Sequence, residues 1–202
     1  ISGQTAWSGT GGSWAVTGSM NSGQLAGSIV ANPSAGGTGK SVRLTTEKWN
    51  FGGRTKVWLD LANSGKWAAA STGANSATKV LRAELDVYVA TGQPVTSSFG
   101  IMIGDTAASY SAGLMISNTG QVWTASNGYA AANRTNRTTA ALDTWHKFMI
   151  DWNTVSGNAK AYLNGVLIAD YTPTNKSGVY AVQLFTTTDN GASGSTTNNG
   201  FG

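Results

Sequence analysis

The sequence has 202 residues with 27 glycines, no cysteine, one histidine and a formal net charge of +4. A chain of this length fits one all-β domain and buries enough of its surface to fold without a disulfide or a metal. Thiol catalysis, zinc–thiolate sites and multi-histidine metal sites are excluded by composition.

Charged residues make up 11% of the chain, less than half the usual share. A hydrophobic content of 40% with eight tryptophans separates it from disordered chains. The basic residues are scattered, and the densest group is Asn133-Arg134-Thr135-Asn136-Arg137-Thr138. No row of cations matches a phosphate backbone, so no nucleic-acid partner is expected. No apolar run reaches the ~18 residues of a membrane span, and none is expected to insert. Ile1 opens in polar, Gly-rich sequence without a signal-peptide pattern, so an export signal, if the protein had one, is expected to have been cut off or to lie outside this sequence. The mixture of Gly, Ser, Thr, Asn and Ala with few charges points to a secreted or cell-surface protein.

Sustained helical periodicity is absent. Ser13–Gly18, Gly27–Ala31, Lys40–Thr46 and Arg54–Leu61 read as strands. Val80–Val89 alternates cleanly, with Leu81, Ala83, Leu85, Val87 and Val89 on one face and Arg82, Glu84, Asp86 and Tyr88 on the other. Phe99, Ile101 and Ile103 form a further period-two set. Leu114–Ser117 and Gln121–Ala125 flank a turn at Asn118-Thr119-Gly120. Trp145–Trp152 is a long strand followed by a turn over Asn153–Asn158. Ala159–Leu163 and Val166–Tyr171 flank Asn164-Gly165, the strongest short hairpin signal, and Tyr180–Thr187 closes the series. Ala31–Gly39, Asn63–Ser76, Asn127–Asn136 and Asp189–Gly202 read as loops, the last as a flexible polar tail. Short strands at this spacing predict a two-sheet antiparallel jelly-roll sandwich in one domain spanning residues 1–202.

Trp145-His146-Lys147-Phe148-Met149-Ile150-Asp151-Trp152, followed after a Gly turn by Ala161-Tyr162-Leu163-Asn164-Gly165-Val166, resembles a hairpin pair of concanavalin A-like, laminin-G-like jelly rolls. The opening Ile1–Trp7, with Gly12-Ser13-Trp14 and Lys40–Leu44, is similar to secreted bacterial members. The resemblance implies a concanavalin A-like fold and leaves lectins, carbohydrate-binding modules, glycosidases, lyases and structural modules open. Similar domains carry flanking strands before and after the segments matched here. On that comparison an unpaired sheet edge would be open to another chain, giving a homo-oligomer or polymer.

Glycoside hydrolysis needs two carboxylates facing one cleft. Glu84-Leu85-Asp86-Val87-Tyr88 resembles the start of the Glu-x-Asp motif of jelly-roll endoglucanases, but Tyr88 and Val89 stand where that motif has its proton donor. The favoured reading of Arg82, Glu84 and Asp86 is a solvated polar face, so no catalytic residue is assigned. His146, beside Trp145, reads as structural or merely exposed. Sugars stack on aromatic rings and take hydrogen bonds from neighbouring polar groups. Candidates for such contacts are Trp49, Trp58, Trp67, Trp123, Tyr110 and Tyr129, with Arg82, Glu84 and Asp86 for hydroxyl groups. Trp7, Trp14, Trp145 and Trp152 look like core. No cofactor is expected; calcium is compatible with oxygens at Asp189, Asn190 and the Gly-rich segment after them, without a defined ligand set. Asn133, Asn136 and Asn175 begin glycosylation sequons. The leading expectation is a non-catalytic, lectin-like domain contacting extracellular carbohydrate. Its alternatives are a self-assembling subunit of an extracellular layer, matrix or filament, and a polysaccharide-active glycosidase or lyase.

Overall fold

The computed structural model describes residues 14–19, 26–30, 41–45, 54–60, 80–92, 97–104, 110–127, 131–153, 156–174 and 181–188. Side chains are described from residue 80 onward within these ranges, apart from 97, 110, 111, 131, 181 and 183–188. The strands are β1 (Trp14–Ser19), β2 (Ala26–Val30), β3 (Ser41–Thr45), β4 (Arg54–Asp60), β5 (Val80–Tyr88), β6 (Ser97–Gly104), β7 (Tyr110–Ser117), β8 (Gln121–Ala125), β9 (Arg134–Thr139), β10 (Trp145–Asn153), β11 (Ala159–Leu163), β12 (Val166–Tyr171) and β13 (Ala181–Thr188).

They form a seven-stranded sheet in the order β1-β4-β13-β6-β7-β8-β9 and a four-stranded sheet in the order β12-β11-β10-β5, with β2 and β3 paired separately. Every pairing is antiparallel. The expected all-β sandwich is what the chain forms. β13 lies between β4 and β6 and joins the two halves of the larger sheet.

The core lies between the two sheets. Phe99, Ile101, Ile103, Leu114, Ile116 and Val122 face it from the larger sheet, and Ala83, Val87, Phe148, Ile150 and Trp152 from the smaller one. Phe148 and Ile150 are 0% exposed. Burying a side chain of this size contributes about 1.5–3 kcal/mol, so this layer dominates the stabilisation. The period-two pattern of β5 is borne out: Ala83 and Val87 are buried while Arg82, Glu84 and Asp86 are exposed.

Turn chemistry follows the sequence at two points. Asn164 (φ 51°) and Gly165 (φ 82°) both take left-handed conformations, as the two-residue β11–β12 hairpin requires. Gly120 (φ 81°) donates its N–H to the Ser117 carbonyl at 3.0 Å, and a Cβ there would stand 2.4 Å from the Ala140 carbonyl oxygen.

Asn127–Asn136 was expected to be a loop, but it contains a 3-10 turn at Ala131–Asn133 and the start of β9. β9 reads Arg-Thr-Asn-Arg-Thr-Thr and lacks apolar alternation because it is the last strand of its sheet among the described residues and is broken by a bulge opposite Val122 and Trp123. The other expected loops, the polar tail and the Asn175 sequon lie outside the described residues.

Candidate functional site

Arg82, Glu84 and Asp86 alternate with the core residues of β5, so they stand on the outer face of the four-stranded sheet. Trp123 belongs to the outer face of the seven-stranded sheet: Val122 beside it faces the core, whereas Trp123 packs on a separate cluster of Met102, Met115 and Ala125. The described candidates are therefore divided between opposite sides of the sandwich.

On the larger sheet, Trp123 is paired with Met115 on β7 and Asn136 on β9. Met102 and Met115 are 0% exposed although they face away from the four-stranded sheet. Their thioethers give the half-buried indole a polarizable bed. The Arg134 guanidinium lies over the Trp123 ring at 5.3 Å from its centroid and donates from Nη1 to Ser98 Oγ at 3.3 Å. A cation over an indole is attracted by its π face. Asn136 and Gln121 are exposed beside this group. Sequence reasoning missed Arg134 and Asn136 as members of one surface. Their spacing of two, starting at Arg134, was a legible signal only if the segment was read as a strand.

Trp58 holds a register position between Ala15 and Gln183, and Gln183 pairs with Met102. This places Trp58 in the cross-strand row that continues through Gly113 and Ala125 to Arg134. Tyr110 pairs with Gly104 at the start of β7. Trp49, Trp67 and Tyr129 lie outside the described residues.

The outer face of the smaller sheet is organised by ion pairs between strands. Arg82 Nε and Nη2 each donate to one oxygen of Asp151 at 2.7 Å. Arg82 shares its face with Glu84 and Asp86, and its hydrogen-bonded partner is on the neighbouring strand, directly opposite in register. Lys147 reaches Asp86 at 3.3 Å and Lys160 reaches Asp170 at 3.8 Å. Glu84 stands opposite Met149. Trp145, expected in the core, is instead half-buried on this face, with its ring 5.5 Å from that of Tyr88 and inclined by 51°. Trp152 is core as expected, but its indole N–H has no hydrogen-bond partner among the described residues.

His146 is buried, and both ring nitrogens are used. Asn164 Nδ2 donates to Nδ1 at 3.1 Å, which leaves Nε2–H to donate to the Ala141 carbonyl at 2.8 Å. Asn164 Oδ1 accepts the Lys147 N–H at 2.9 Å, which fixes the orientation of the amide. The histidine therefore secures the β11–β12 hairpin to β10.

Asp143 (φ 57°) accepts the Thr91 N–H at 2.9 Å and the Thr91 hydroxyl at 2.8 Å. These bonds hold its carboxyl below the usual carboxylate range, the backbone bond contributing most. Tyr171 crosses between the sheets and donates to the Gly113 carbonyl at 3.1 Å; desolvation pushes its phenol up.

Among the described residues no group of three or more His, Asp or Glu is placed to hold a metal. The oxygens considered for calcium at Asp189 and Asn190 lie outside the described residues. No helix among the described residues is long and apolar enough to cross a membrane.

No protein-family model matches the sequence, and no curated protein matches it. Solved structures do match in fold. A β-glucanase of Bacillus licheniformis superposes with a TM-score of 0.55 at 12% identity, over 93% of this chain and 88% of its own. An endo-β-1,4-glucuronan lyase from the fungus Trichoderma reesei gives 0.53 at 13% identity, over 88% and 84%. A sialidase gives 0.51 at 12% identity, and this chain spans 12% of its length. Together with the two antiparallel sheets packed around one core, these matches show that the chain has the concanavalin A-like jelly-roll fold.

Proposed function

We propose that the protein is a non-catalytic, extracellular carbohydrate-binding domain whose contact surface is the β8–β9 rim of the larger sheet. The observation that carries this reading is the grouping of Trp123, Arg134 and Asn136: a half-buried indole on a methionine bed, with a guanidinium and an exposed amide beside it. The exposed edge of the indole offers an apolar contact to a sugar, and the amide and the guanidinium that lies over the ring supply hydrogen bonds to hydroxyl groups. The fold neighbours support a carbohydrate ligand, since they include a glucanase and a glucuronan lyase. The lectin reading draws further support from the smaller sheet, where Asp86, Asp151 and Asp170 are engaged by cations.

Affinity electrophoresis against a panel of neutral and acidic polysaccharides tests the reading. At least one is expected to retard the wild-type protein. Asn136→Ala is expected to weaken that binding about tenfold, equivalent to ~1.4 kcal/mol, without shifting thermal unfolding. Glu84→Ala, on the opposite face, is expected to leave it unchanged. Retardation by none of the panel, or equal retardation of the wild type and the Asn136→Ala and Trp123→Phe variants, would overturn the assignment.

A further inference from the structure

β9 ends the seven-stranded sheet among the described residues, and a terminal strand offers unpaired backbone groups to any similar strand. Three features set it apart from a simple open edge. Its pairing with β8 is interrupted: Val122 pairs with Thr138 and Trp123 with Asn136, which leaves Arg137 as the extra residue of a bulge. The Arg137 side chain turns into the sandwich, where Nε donates to Thr124 Oγ1 at 2.8 Å and the guanidinium lies 5.7 Å from the centre of the Tyr171 ring. Thr124 is 2% exposed, and Tyr171 belongs to β12, the last strand of the other sheet. Gly113, Tyr171, Arg137 and Thr124 thus form one strut that ties β9 to β12 across the mouth of the sandwich.

We propose that Arg137 is an edge guard that keeps β9 from pairing with the β9 strand of a second copy of this chain. For two β9 strands to continue the sheet, the bulge has to flatten into regular register. Flattening draws Arg137 away from Thr124 and Tyr171, leaving a buried hydroxyl without its donor and a cation to be resolvated. The inward charge therefore opposes the pairing that the polar sequence of β9 does not prevent by itself.

The test is molar mass by light scattering across a wide protein concentration range, combined with hydrogen exchange of residues 134–139. Wild type and Arg137→Lys are expected to remain monomeric. Arg137→Met keeps the aliphatic stem against Tyr171 and removes the charge. It is expected to dimerise with rising concentration, the β9 amides slowing at least tenfold in step with mass. If Arg137→Met does not fold, Thr124→Val removes the acceptor in its place and carries the same expectation. A folded variant that stays monomeric overturns the proposal, and so does a wild-type protein that itself associates with slowed β9 amides.

Discussion

The two outer faces of the sandwich come from the same strand alternation and have opposite characters. On the smaller sheet, charges on neighbouring strands neutralise one another in the ladders Arg82–Asp151, Lys147–Asp86 and Lys160–Asp170, and every one of these side chains except Asp151 stays about half exposed. On the larger sheet, Met102 and Met115 are sealed from solvent, and Trp123 packs against them. The first face is solvated, and its exposed pairs contribute little to stability. The second behaves as an additional apolar layer, with a half-buried indole packed against it and a guanidinium over the indole.

The contrast is tested most severely by methionine truncation. Met115→Ala is expected to cost about 2–5 kcal/mol in urea unfolding, as for a core residue, whereas Met149→Ala on the other outer face is expected to cost less than ~1 kcal/mol. Equal costs would mean that the two faces do not differ. Peroxide provides a check without mutation: Met149 is expected to oxidise well before Met102 and Met115, as read by peptide mass.

Glycine substitutions sharpen the picture at an intermediate scale. A Cβ on Gly100 would stand 2.0 Å from the Leu114 carbonyl oxygen, and one on Gly113 would meet the Met102 methyl at 2.8 Å. The first obstacle is backbone and the second is the end of a flexible side chain. Gly100→Ala is therefore expected to cost about 3 kcal/mol and Gly113→Ala about 1 kcal/mol in the same assay. At the small end, Lys147→Met on the ion-paired face is expected to change stability by no more than about 0.5 kcal/mol, with even that removed by salt.

Asp143 gives a pH signature near the end of the smaller sheet. Its carboxyl is held below its ordinary value, so it favours the folded state above about pH 4, and that contribution is lost as pH falls through the lowered value. Asp143→Asn retains a side chain tolerant of the positive φ and is expected to flatten the acid limb of thermal stability. An unchanged limb would mean that the Thr91 clamp makes no difference to folding.

Much of the fold was legible. The alternation of β5 and the Asn164-Gly165 turn announced their structures because each depends on local backbone geometry. β9 escaped because a polar, bulged end strand carries no apolar period. The partner of Arg82 lies 69 residues away, so only tertiary register identifies it. The methionine layer was partly visible: Phe99-Gly100-Ile101-Met102-Ile103 is apolar in both phases, as expected of a strand buried on both faces. Only one phase of that run is needed to predict a sandwich, and the other was passed over. Of the proposed rim, Trp123 was recognisable by residue type, whereas Arg134 and Asn136 join it through pairing between strands.

The place of β13 has a consequence for how the molecule is made. Among the described residues the larger sheet consists of β1 and β4 on one side and β6–β7–β8–β9 on the other, and β13 bridges them. As the chain leaves the ribosome, both groups exist with the inner edges of β4 and β6 unpaired until the last of these strands arrives. The closing step joins segments far apart in sequence and resembles the fastening of a zip from its final tooth. Such a step is slow because a large loop must be closed before any ladder forms. During that interval the unpaired edges of β4 and β6 are open to mispairing.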